Sequence, residues 1–252
     1  MRNPPHVIAL FGPTGVGKTA VAVELARGLR ARGERPVAIS ADALQVYRGL
    51  ETLTGVATSA EQAELEHRLV SFLPLDASFS AGQYAQLAHA EIDVALGEGR
   101  RPIVVGGTGL YLRAALTELD FRPPPEGSPS QLWSEDVRHP TLLVGLVMER
   151  EQLYARIDAR VDEILAAGAR EEVLRAHAAG ASPTARKALG FEELLAGDVE
   201  AMKRRTRNYA RRQLTWMRKL AGVRVLDVTD RAAANVAGEI VRALDEIEPR
   251  RE

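Results

Sequence analysis

The feature that most constrains the fold is an eight-residue loop at residues 12–19, which reads Gly-Pro-Thr-Gly-Val-Gly-Lys-Thr. It matches the phosphate-binding pattern G-x-x-x-x-G-K-[ST]. An apolar run at residues 7–11 precedes the loop, and Val21, Leu25 and Leu29 follow it at helical spacing. The segment therefore predicts a buried strand, a phosphate loop and a helix, the unit expected at the start of a P-loop NTPase-like α/β fold.

The residues of this loop suit the binding of a diphosphate or a triphosphate. Its glycines let backbone N–H groups turn toward an anion at the positive end of the helix dipole. Lys18 adds a mobile positive charge, and the hydroxyl of Thr19 is a candidate ligand for Mg²⁺. We predict phosphate contacts from the whole loop, namely Gly12, Pro13, Thr14, Gly15, Val16, Gly17, Lys18 and Thr19. The pattern does not identify the phosphate compound.

Composition excludes several classes of protein. The 252 residues are 46% hydrophobic, enough for one sizeable core, and no stretch approaches the length of a membrane span. The first six residues leave no room for a signal peptide before the predicted strand, so we expect a cytoplasmic protein. Cysteine is absent, which excludes disulfides, thiolate metal sites and a cysteine nucleophile.

Alternating strand and helix patterns predict a parallel sheet flanked by helices, with a helical C-terminal half. Beyond the first unit, strands are predicted at residues 36–40, 69–73, 102–105, 141–148 and 223–228. Helices are predicted at residues 81–96, 150–167, 169–178, from 185, 199–220 and 231–247. Ser80 and Gln83 form a capping-box pattern, and Asp198 is a predicted N-cap.

This organisation divides the chain into three parts. Residues 1–121 form the predicted phosphate-binding α/β core. Residues 122–140 are rich in proline and serine and predict a connector. Residues 141–252 are predicted to be mainly helical, with strands that return to complete the core.

Asp42 follows the second predicted strand, where ligands of open α/β sheets collect. In a kinase, a carboxylate there would hold Mg²⁺ or accept a proton from a hydroxyl group; in an alkyltransferase, it would accept the proton of an attacking amine. Gln45 lies one turn further, and its amide has the donor and acceptor edges that pair with adenine. The alternative is that Asp42 caps a helix and Gln45 is a solvated helix residue.

Two further segments are chemically distinctive. The glycine-rich turn at residues 106–109 directs Thr108 toward the same crevice, unless it serves only packing. Residues 201–224 hold nine basic residues and no acidic one, although the whole chain carries a net charge of −1. Such a run favours contact with a polyanion over a simple solvated helix, while Tyr209 and Trp216 share one stripe and are predicted core residues.

Taken in order, five blocks of this sequence resemble one protein family. They are residues 12–19, residues 40–49 (Ser-Ala-Asp-Ala-Leu-Gln-Val-Tyr-Arg-Gly), residues 79–81 (Phe-Ser-Ala), residues 106–112 (Gly-Gly-Thr-Gly-Leu-Tyr-Leu) and residues 206–216 (Thr-Arg-Asn-Tyr-Ala-Arg-Arg-Gln-Leu-Thr-Trp), with His67 between the second and third. The order is similar to that of the tRNA dimethylallyltransferases, or isopentenyltransferases. These enzymes attach a five-carbon prenyl group to N6 of an adenine beside the anticodon.

The resemblance implies roles for particular residues. Asp42 would be the general base, Thr108 would line the reaction channel, and Lys18, Thr19 and Arg207 would hold the diphosphate of dimethylallyl diphosphate with Mg²⁺. Gln45 would hold the extruded adenine. The full set of implied tRNA and adenine contacts is Asp42, Ala43, Leu44, Gln45, Thr108, Arg211, Arg212 and Gln213. The resemblance also implies that the protein binds the anticodon stem-loop of tRNA, acts as a monomer and does not associate with a membrane.

The chain departs from the family pattern in three places. Ala43 replaces a usual serine, and residues 54–57 read Thr-Gly-Val-Ala where the family has Thr-Ala-Lys-Pro. The helical insertion that grips the anticodon stem is replaced by the short connector at residues 122–140. These departures keep an adenylate isopentenyltransferase acting on free AMP, ADP or ATP as an alternative. A nucleotide or small-molecule kinase and a non-catalytic nucleic-acid-binding ATPase also remain open.

Overall fold

The computed structural model describes residues 6–122, 131–134 and 136–248. In this part of the chain, six strands form one sheet in the order β3-β2-β4-β1-β5-β6, and every pairing is parallel. The strands are β1 (Val7–Phe11), β2 (Pro36–Ser40), β3 (His67–Arg68), β4 (Arg101–Gly106), β5 (Thr141–Val147) and β6 (Arg224–Asp227). The P-loop-like α/β fold predicted from the sequence is confirmed.

Helices cover both faces of the sheet. They are α1 (Lys18–Ala31), α2 (Glu51–Thr54), α3 (Ser59–Glu64), α4 (Ala81–Gly97), α5 (Gly109–Leu116), α6 (Arg150–Ala166), α7 (Ala169–Ala178), α8 (Phe191–Leu195), α9 (Val199–Met217) and α10 (Ala233–Ile247). Alternate residues of β1 face opposite sides: Ile8 and Leu10 pack with α1 and α10, whereas Val7, Ala9 and Phe11 pack with α4 and α5. Burial on both faces explains why the strand reads as a continuous apolar run.

A third apolar cluster lies outside the sheet. It joins α2, α6, α7, α8 and α9 around Val46, Tyr47 and Phe191. Glu172 of α7 is buried in this region, and its carboxylate accepts hydrogen bonds from the backbone N–H groups of Thr52 (2.9 Å) and Leu53 (2.7 Å). It thereby satisfies two donors at the start of α2. The cluster places α2 and α6 beside the carboxyl end of β2.

Several predicted elements are confirmed by the structure. The strand and helix that flank the phosphate loop are β1 and α1. Ser80 and Gln83 form the reciprocal capping box at the start of α4, and the side chain of Asp198 accepts from the backbone N–H of Ala201 at the start of α9. In the last predicted segment, β5 and β6 pair with the sheet, as the predicted strands at residues 141–148 and 223–228 require.

Other predictions are wrong or fall elsewhere. The predicted strand at residues 69–73 is replaced by β3, because Leu69 (φ 60°) and Ser71 (φ 47°) are left-handed and cannot extend it. The helix predicted from residue 185 is a single 3₁₀ turn, Ala185–Lys187. Within the predicted connector, a 3₁₀ turn covers Gln131–Trp133, and residues 123–130 and 135 lie outside the described residues.

The amino ends of the strands are joined by a buried arginine. Arg101, 4% exposed, donates to Glu34 (2.7 Å) and makes two bonds to Glu248 (2.9 and 2.8 Å). It also donates to the backbone carbonyl of His6, which itself contacts Glu248. This network ties β4 to His6 and Glu248, at the amino ends of the strands and so on the side of the sheet away from the phosphate loop.

Candidate active site

The phosphate loop is shaped by glycines that admit no side chain. Gly15 (φ 82°) and Gly17 (φ 96°) are left-handed. A Cβ atom at Gly15 would lie 2.9 Å from Ile157 of α6, and one at Gly12 would lie 2.9 Å from Val16. Gly17 is also the N-cap of α1 and has no side chain to cap it. The first N–H groups of α1 therefore remain available to an anion.

Lys18 lies folded over the phosphate loop. Its Nζ atom donates hydrogen bonds to the carbonyl oxygens of Gly12 (2.9 Å) and Pro13 (3.0 Å). Burial lowers the pKa of Lys18 from 10.5 to about 8, although the negative charge of Asp42 acts in the opposite direction. An anion that displaces these two carbonyls would meet a poorly solvated ammonium group, which strengthens their attraction.

Asp42 lies across the crevice from Lys18, two residues beyond the end of β2. Its carboxylate accepts a hydrogen bond from the backbone N–H of Leu44 (2.9 Å), an Asx turn that fixes its direction. Burial raises the pKa of Asp42 above 3.8, and this effect outweighs the stabilisation of its charge by the backbone and by Lys18. A carboxylate with a raised pKa is a stronger base than an exposed one.

Three tyrosines surround Asp42, and the sequence did not predict this arrangement. Burial, followed by the negative charge of Asp42, raises the pKa of Tyr84 and raises that of Tyr209 to about 12. The pKa of Tyr111 also rises to about 12, through burial and then the nearby Tyr47 and Asp42. The rings of Tyr84 and Tyr111 pack at 4.6 Å, and the Tyr84 hydroxyl donates to the carbonyl of Ser40 (2.9 Å). These neutral phenols form a largely apolar wall.

The glycine-rich turn after β4 brings Thr108 beside this wall. A Cβ atom at Gly106 would lie 2.3 Å from the carbonyl oxygen of Ala41, so the ends of β2 and β4 approach closely only because residue 106 is glycine. The Thr108 hydroxyl is 3.1 Å from the hydroxyl of Tyr209. Tyr209 therefore faces the crevice rather than the core predicted for it, whereas Trp216 is half-buried and packs on Gly109 and on Trp133 at 4.7 Å.

Two glutamines predicted to contact adenine or tRNA have other partners. The carbonyl oxygen of the Gln45 amide accepts from Ser40 (2.8 Å), and its nitrogen donates to the carbonyls of Thr54 (3.3 Å) and Gly55 (3.1 Å). Gln213 is 4% exposed and bonds to two backbone loops. In this geometry both amides are bound to protein groups, and their contacts with adenine or tRNA remain predictions.

Ala43 and Leu44, the other residues of the Asp42 turn, are half-buried and pack against two different apolar clusters. His67 lies in the edge strand β3, where its Nδ1 contacts the carbonyl of Leu65 at 2.6 Å. Burial lowers its pKa. Its side chain is thereby engaged at the sheet edge rather than beside Asp42.

The predicted diphosphate ligand Arg207 is held by an acidic neighbour. Its Nη1 atom lies 2.6 Å from each carboxylate oxygen of Asp158 on α6. The same helix carries Arg156, whose Nη1 lies 3.8 Å from the position of a Cβ atom on Gly17. Sequence reasoning missed Arg156, because nothing local in α6 shows that this helix crosses the phosphate loop.

The basic run on α9 is partly neutralised by other helices. Lys203 pairs with Asp162 (2.7 Å) and Arg205 pairs with Glu193 (2.7 Å), in addition to the pair made by Arg207. Among the residues that the structure describes, five exposed cations of this segment form no ion pair with a carboxylate: Arg204, Arg211, Arg212, Arg218 and Lys219. Arg211 bonds to Asn208 (2.5 Å), and Arg212 lies over the Tyr209 ring at 5.6 Å. These cations give α9 and the two residues that follow it a positively charged outer surface.

Comparison with known proteins places this site in a family. The family model described as IPP transferase matches residues 45–138 and 122–220, more than half of the chain. The chain belongs to the IPP transferase family. Proteins named tRNA dimethylallyltransferase are similar over nearly their full length. That of Rhodospirillum centenum is 36% identical over 89% of this chain and 92% of its own, and that of Symbiobacterium thermophilum is 33% identical over 98% and 97%.

Solved structures of IPP transferases share the fold. The tRNA isopentenylpyrophosphate transferase of Bacillus halodurans superposes with a TM-score of 0.81 at 28% identity, covering 96% of this chain and 98% of its own. The alignment with the Rhodospirillum relative runs over 294 positions, more than the 252 residues of this chain. That relative therefore holds residues with no counterpart here.

Within the described ranges, no helix combines the length and the apolar character needed to cross a membrane. The same residues contain no cluster of three or more histidine or acidic side chains arranged around a metal ion. Thr19, on the first turn of α1, is half-buried beside Lys18.

Proposed function

We propose that this protein transfers a dimethylallyl group from dimethylallyl diphosphate to N6 of an adenine beside the anticodon of tRNA. The observation that carries the proposal is the shared crevice of Lys18 and Asp42, in which each group influences the pKa of the other. Relatives at 30–36% identity that span most of the chain carry the name of this activity. The crevice thus joins an anion-binding loop to a base in one reaction space.

The residues of the crevice divide the reaction between two sides. On one side, the N–H groups of the phosphate loop, Lys18 and Arg207 bind the diphosphate and stabilise the charge that develops as the bond between the allylic carbon and oxygen breaks. On the other side, N6 of adenine forms a bond to that carbon and releases its proton to Asp42. Thr108, held by Tyr209, lines the passage between the two sides.

Mg²⁺ fits this site as a companion of the diphosphate. The protein offers the Thr19 hydroxyl at the first turn of α1, and Mg²⁺ is commonly bound through substrate phosphates and water with few protein ligands. When bound, the ion adds positive charge beside the leaving diphosphate. We expect Thr19 to be its ligand.

The acceptor adenine must leave its base stack to reach Asp42. We propose that the exposed cations of α9 bind the tRNA backbone, because they form a positive surface that begins beside the site: Arg212 lies over the ring of Tyr209, whose hydroxyl contacts Thr108. Arg211 and Arg212 are the members of this surface predicted from the sequence. We further expect the protein to act as a monomer in the cytoplasm.

Transfer is tested by incubating the protein with a tRNA transcript, dimethylallyl diphosphate and Mg²⁺, followed by mass spectrometry of the digested nucleosides. We expect one adenosine to gain the mass of a dimethylallyl group, with no hydrolysis of added ATP. A parallel reaction with AMP tests the adenylate alternative, and ATP turnover tests the kinase alternative. Alkylation of neither RNA nor nucleotide would overturn the proposal.

A further inference from the structure

Gln213 joins two loops of the active site through a single amide group. Its Oε1 atom accepts a hydrogen bond from the backbone N–H of Thr14 in the phosphate loop (2.9 Å). Its Nε2 atom donates to the carbonyl oxygen of Gly107, next to Thr108 (2.8 Å). Both lengths are those of well-formed hydrogen bonds, and the side chain is 4% exposed.

The loop after β4 is shaped to receive this amide. A Cβ atom on Gly107 would lie 2.2 Å from Nε2 of Gln213 and 3.0 Å from the carbonyl oxygen of Gly12. Only glycine at position 107 therefore lets Gln213 and the phosphate loop approach from the two sides. The contact is built into the site rather than formed by a chance rotamer of a surface residue.

Tyr209, one turn earlier on α9, holds the neighbouring residue. Its hydroxyl is 3.1 Å from the Thr108 hydroxyl, and it also interacts with the Gln213 side chain. The backbone before Thr108 and the Thr108 side chain are thus both fixed by the same helix. At the other end of the Gln213 amide, Thr14 belongs to the loop that would bind the diphosphate.

We propose that Gln213 is a positioning residue that sets the distance between the diphosphate-binding loop and the Thr108 side of the reaction channel. The inference rests on the proposed function of this crevice. Gln213 acts through the two loops and does not need to touch either substrate. Transfer is sensitive to such a spacing, because a displacement of about 1 Å between reacting groups can lower a rate by about 100-fold.

The amide is chemically suited to this role because it donates and accepts at once. An ionised glutamate at position 213 would keep the acceptor for Thr14 but lose the donor for Gly107. The same carboxyl group, when protonated, would restore that donor. Methionine, which is similar in length, offers neither bond.

The experiment compares wild-type protein with Gln213→Met and Gln213→Glu. Thr215→Ala, an exposed position on the same helix, is the control. Three quantities are measured: the exchange rate of the Thr14 backbone amide, the affinity for inorganic pyrophosphate with Mg²⁺, and kcat for transfer to tRNA. For Gln213→Met we expect faster exchange at Thr14, about tenfold weaker pyrophosphate binding and kcat lowered by about 100-fold. Thr215→Ala should change none of the three.

The pH profile separates positioning from packing. Because the carboxyl group of Gln213→Glu gains a proton as pH falls, its kcat relative to wild type should rise toward low pH, while the Gln213→Met ratio stays flat. Lys18 and Asp42 across the crevice, and Tyr209 and Arg212 on α9, are present in every variant, so the ratio cancels their own titration to a first approximation. Gln213→Glu keeps the size of the side chain and remains informative if Gln213→Met folds poorly.

Two results would overturn the proposal. One is a Gln213→Met protein that is less stable but retains wild-type pyrophosphate affinity and kcat below its melting temperature. The other is a Gln213→Glu ratio that does not change with pH. Amide exchange and pyrophosphate binding require no transfer reaction, so they decide the role of Gln213 even if the wild-type protein fails to alkylate tRNA.

Discussion

At the scale of single residues, the site depends on two half-buried charges that bulk water would stabilise better. Burial lowers the pKa of Lys18 and raises that of Asp42, and each charge partly offsets the penalty on the other. Charged groups held partly away from water lower the stability of the fold. In the proposed reaction, the diphosphate and the acceptor amine interact with these two charges.

Asp42→Asn should abolish transfer while leaving pyrophosphate binding nearly unchanged. Loss of a general base typically costs about 100- to 10,000-fold in rate. Removal of the Asp42 charge should also move the pKa of Lys18 further below about 8, so binding is compared at pH 6.5, where Lys18 stays protonated. Single-turnover transfer and calorimetric titration with pyrophosphate measure the two effects. Turnover near the wild-type rate would assign the base to another group.

Lys18 should make stability increase with pH in mildly alkaline solution. Its folded pKa of about 8 lies below the ordinary value of 10.5, so between these values the unfolded chain binds more protons than the folded one. The free energy of unfolding should therefore rise from pH 8 to pH 10 in wild type relative to Lys18→Met, by no more than about 3 kcal/mol. Urea denaturation at several pH values measures this difference. Parallel curves for the two proteins would contradict it.

At the scale of elements, α6 and α9 join their charged side chains beside the phosphate loop. Arg156 of α6 lies near Gly17 of the loop, and Arg207 of α9 is bound to Asp158 of α6. The ion pair therefore links the two helices, and in the proposed reaction Arg207 would exchange Asp158 for the diphosphate. The carboxylate of Asp158 restrains the guanidinium group of Arg207 in this arrangement.

Arg207→Gln should lower pyrophosphate affinity and reduce kcat/KM by about 100-fold, because the leaving diphosphate loses a cation. Asp158→Asn is the matched control, since it breaks the same ion pair but leaves the arginine in place. Both variants should lose similar, small amounts of stability in thermal unfolding. Equal losses of activity in the two variants would show that only the ion pair matters.

The sequence predicted those elements whose deciding residues lie close together in the chain. The phosphate loop and the caps at Ser80 and Asp198 depend on residues a few positions apart. The start of α2 depends instead on Glu172, and the path after β3 depends on left-handed residues such as Ser71. Neither could be predicted, because the deciding contact or strain is not visible in a short stretch of sequence.

The candidate site follows the same division. Lys18, Asp42 and Thr108 stand in short motifs and were predicted with their positions in the crevice. Gln213 and Thr14, in contrast, are 199 residues apart, so no spacing rule connects them. The two carbonyl partners of Gln45 were missed because they lie at the end of α2, an element that the pattern did not predict.

At the scale of the whole molecule, the two ends of the strands have different roles. The carboxyl ends of the strands carry the crevice, and the amino ends carry the network around Arg101. Burial alone would raise the pKa of Glu248, but hydrogen bonds from Arg101 and His6 lower it to about 2. A substitution in the Arg101 network should therefore change the stability of the fold without changing the crevice.

Arg101→Met should destabilise the fold by about 3 kcal/mol, because Glu34 and Glu248 keep their charges and lose their partner. The stabilisation by ionised Glu248 is present above its ordinary pKa of 4.5 and is lost as pH falls toward 2, so the variant should show a weaker acid dependence in this window. Chemical denaturation between pH 2 and pH 6 measures both effects. Transfer by the folded variant should remain close to wild type, and a large loss of kcat would show that the two ends of the strands are coupled.

The contact between His6 and Glu248 has a consequence for the order in which the chain can be connected. These two residues are 242 positions apart and touch each other. Gly180 lies in an exposed turn, and within the described residues nothing lies within 4 Å of the position that a Cβ atom would take there. A circular permutant that joins residue 248 to residue 6 through a short spacer and begins after Gly180 keeps every strand neighbour of the described sheet. The crevice depends on the spatial arrangement of its residues and not on their order along the chain. The permuted protein should therefore fold to the same structure and keep the crevice.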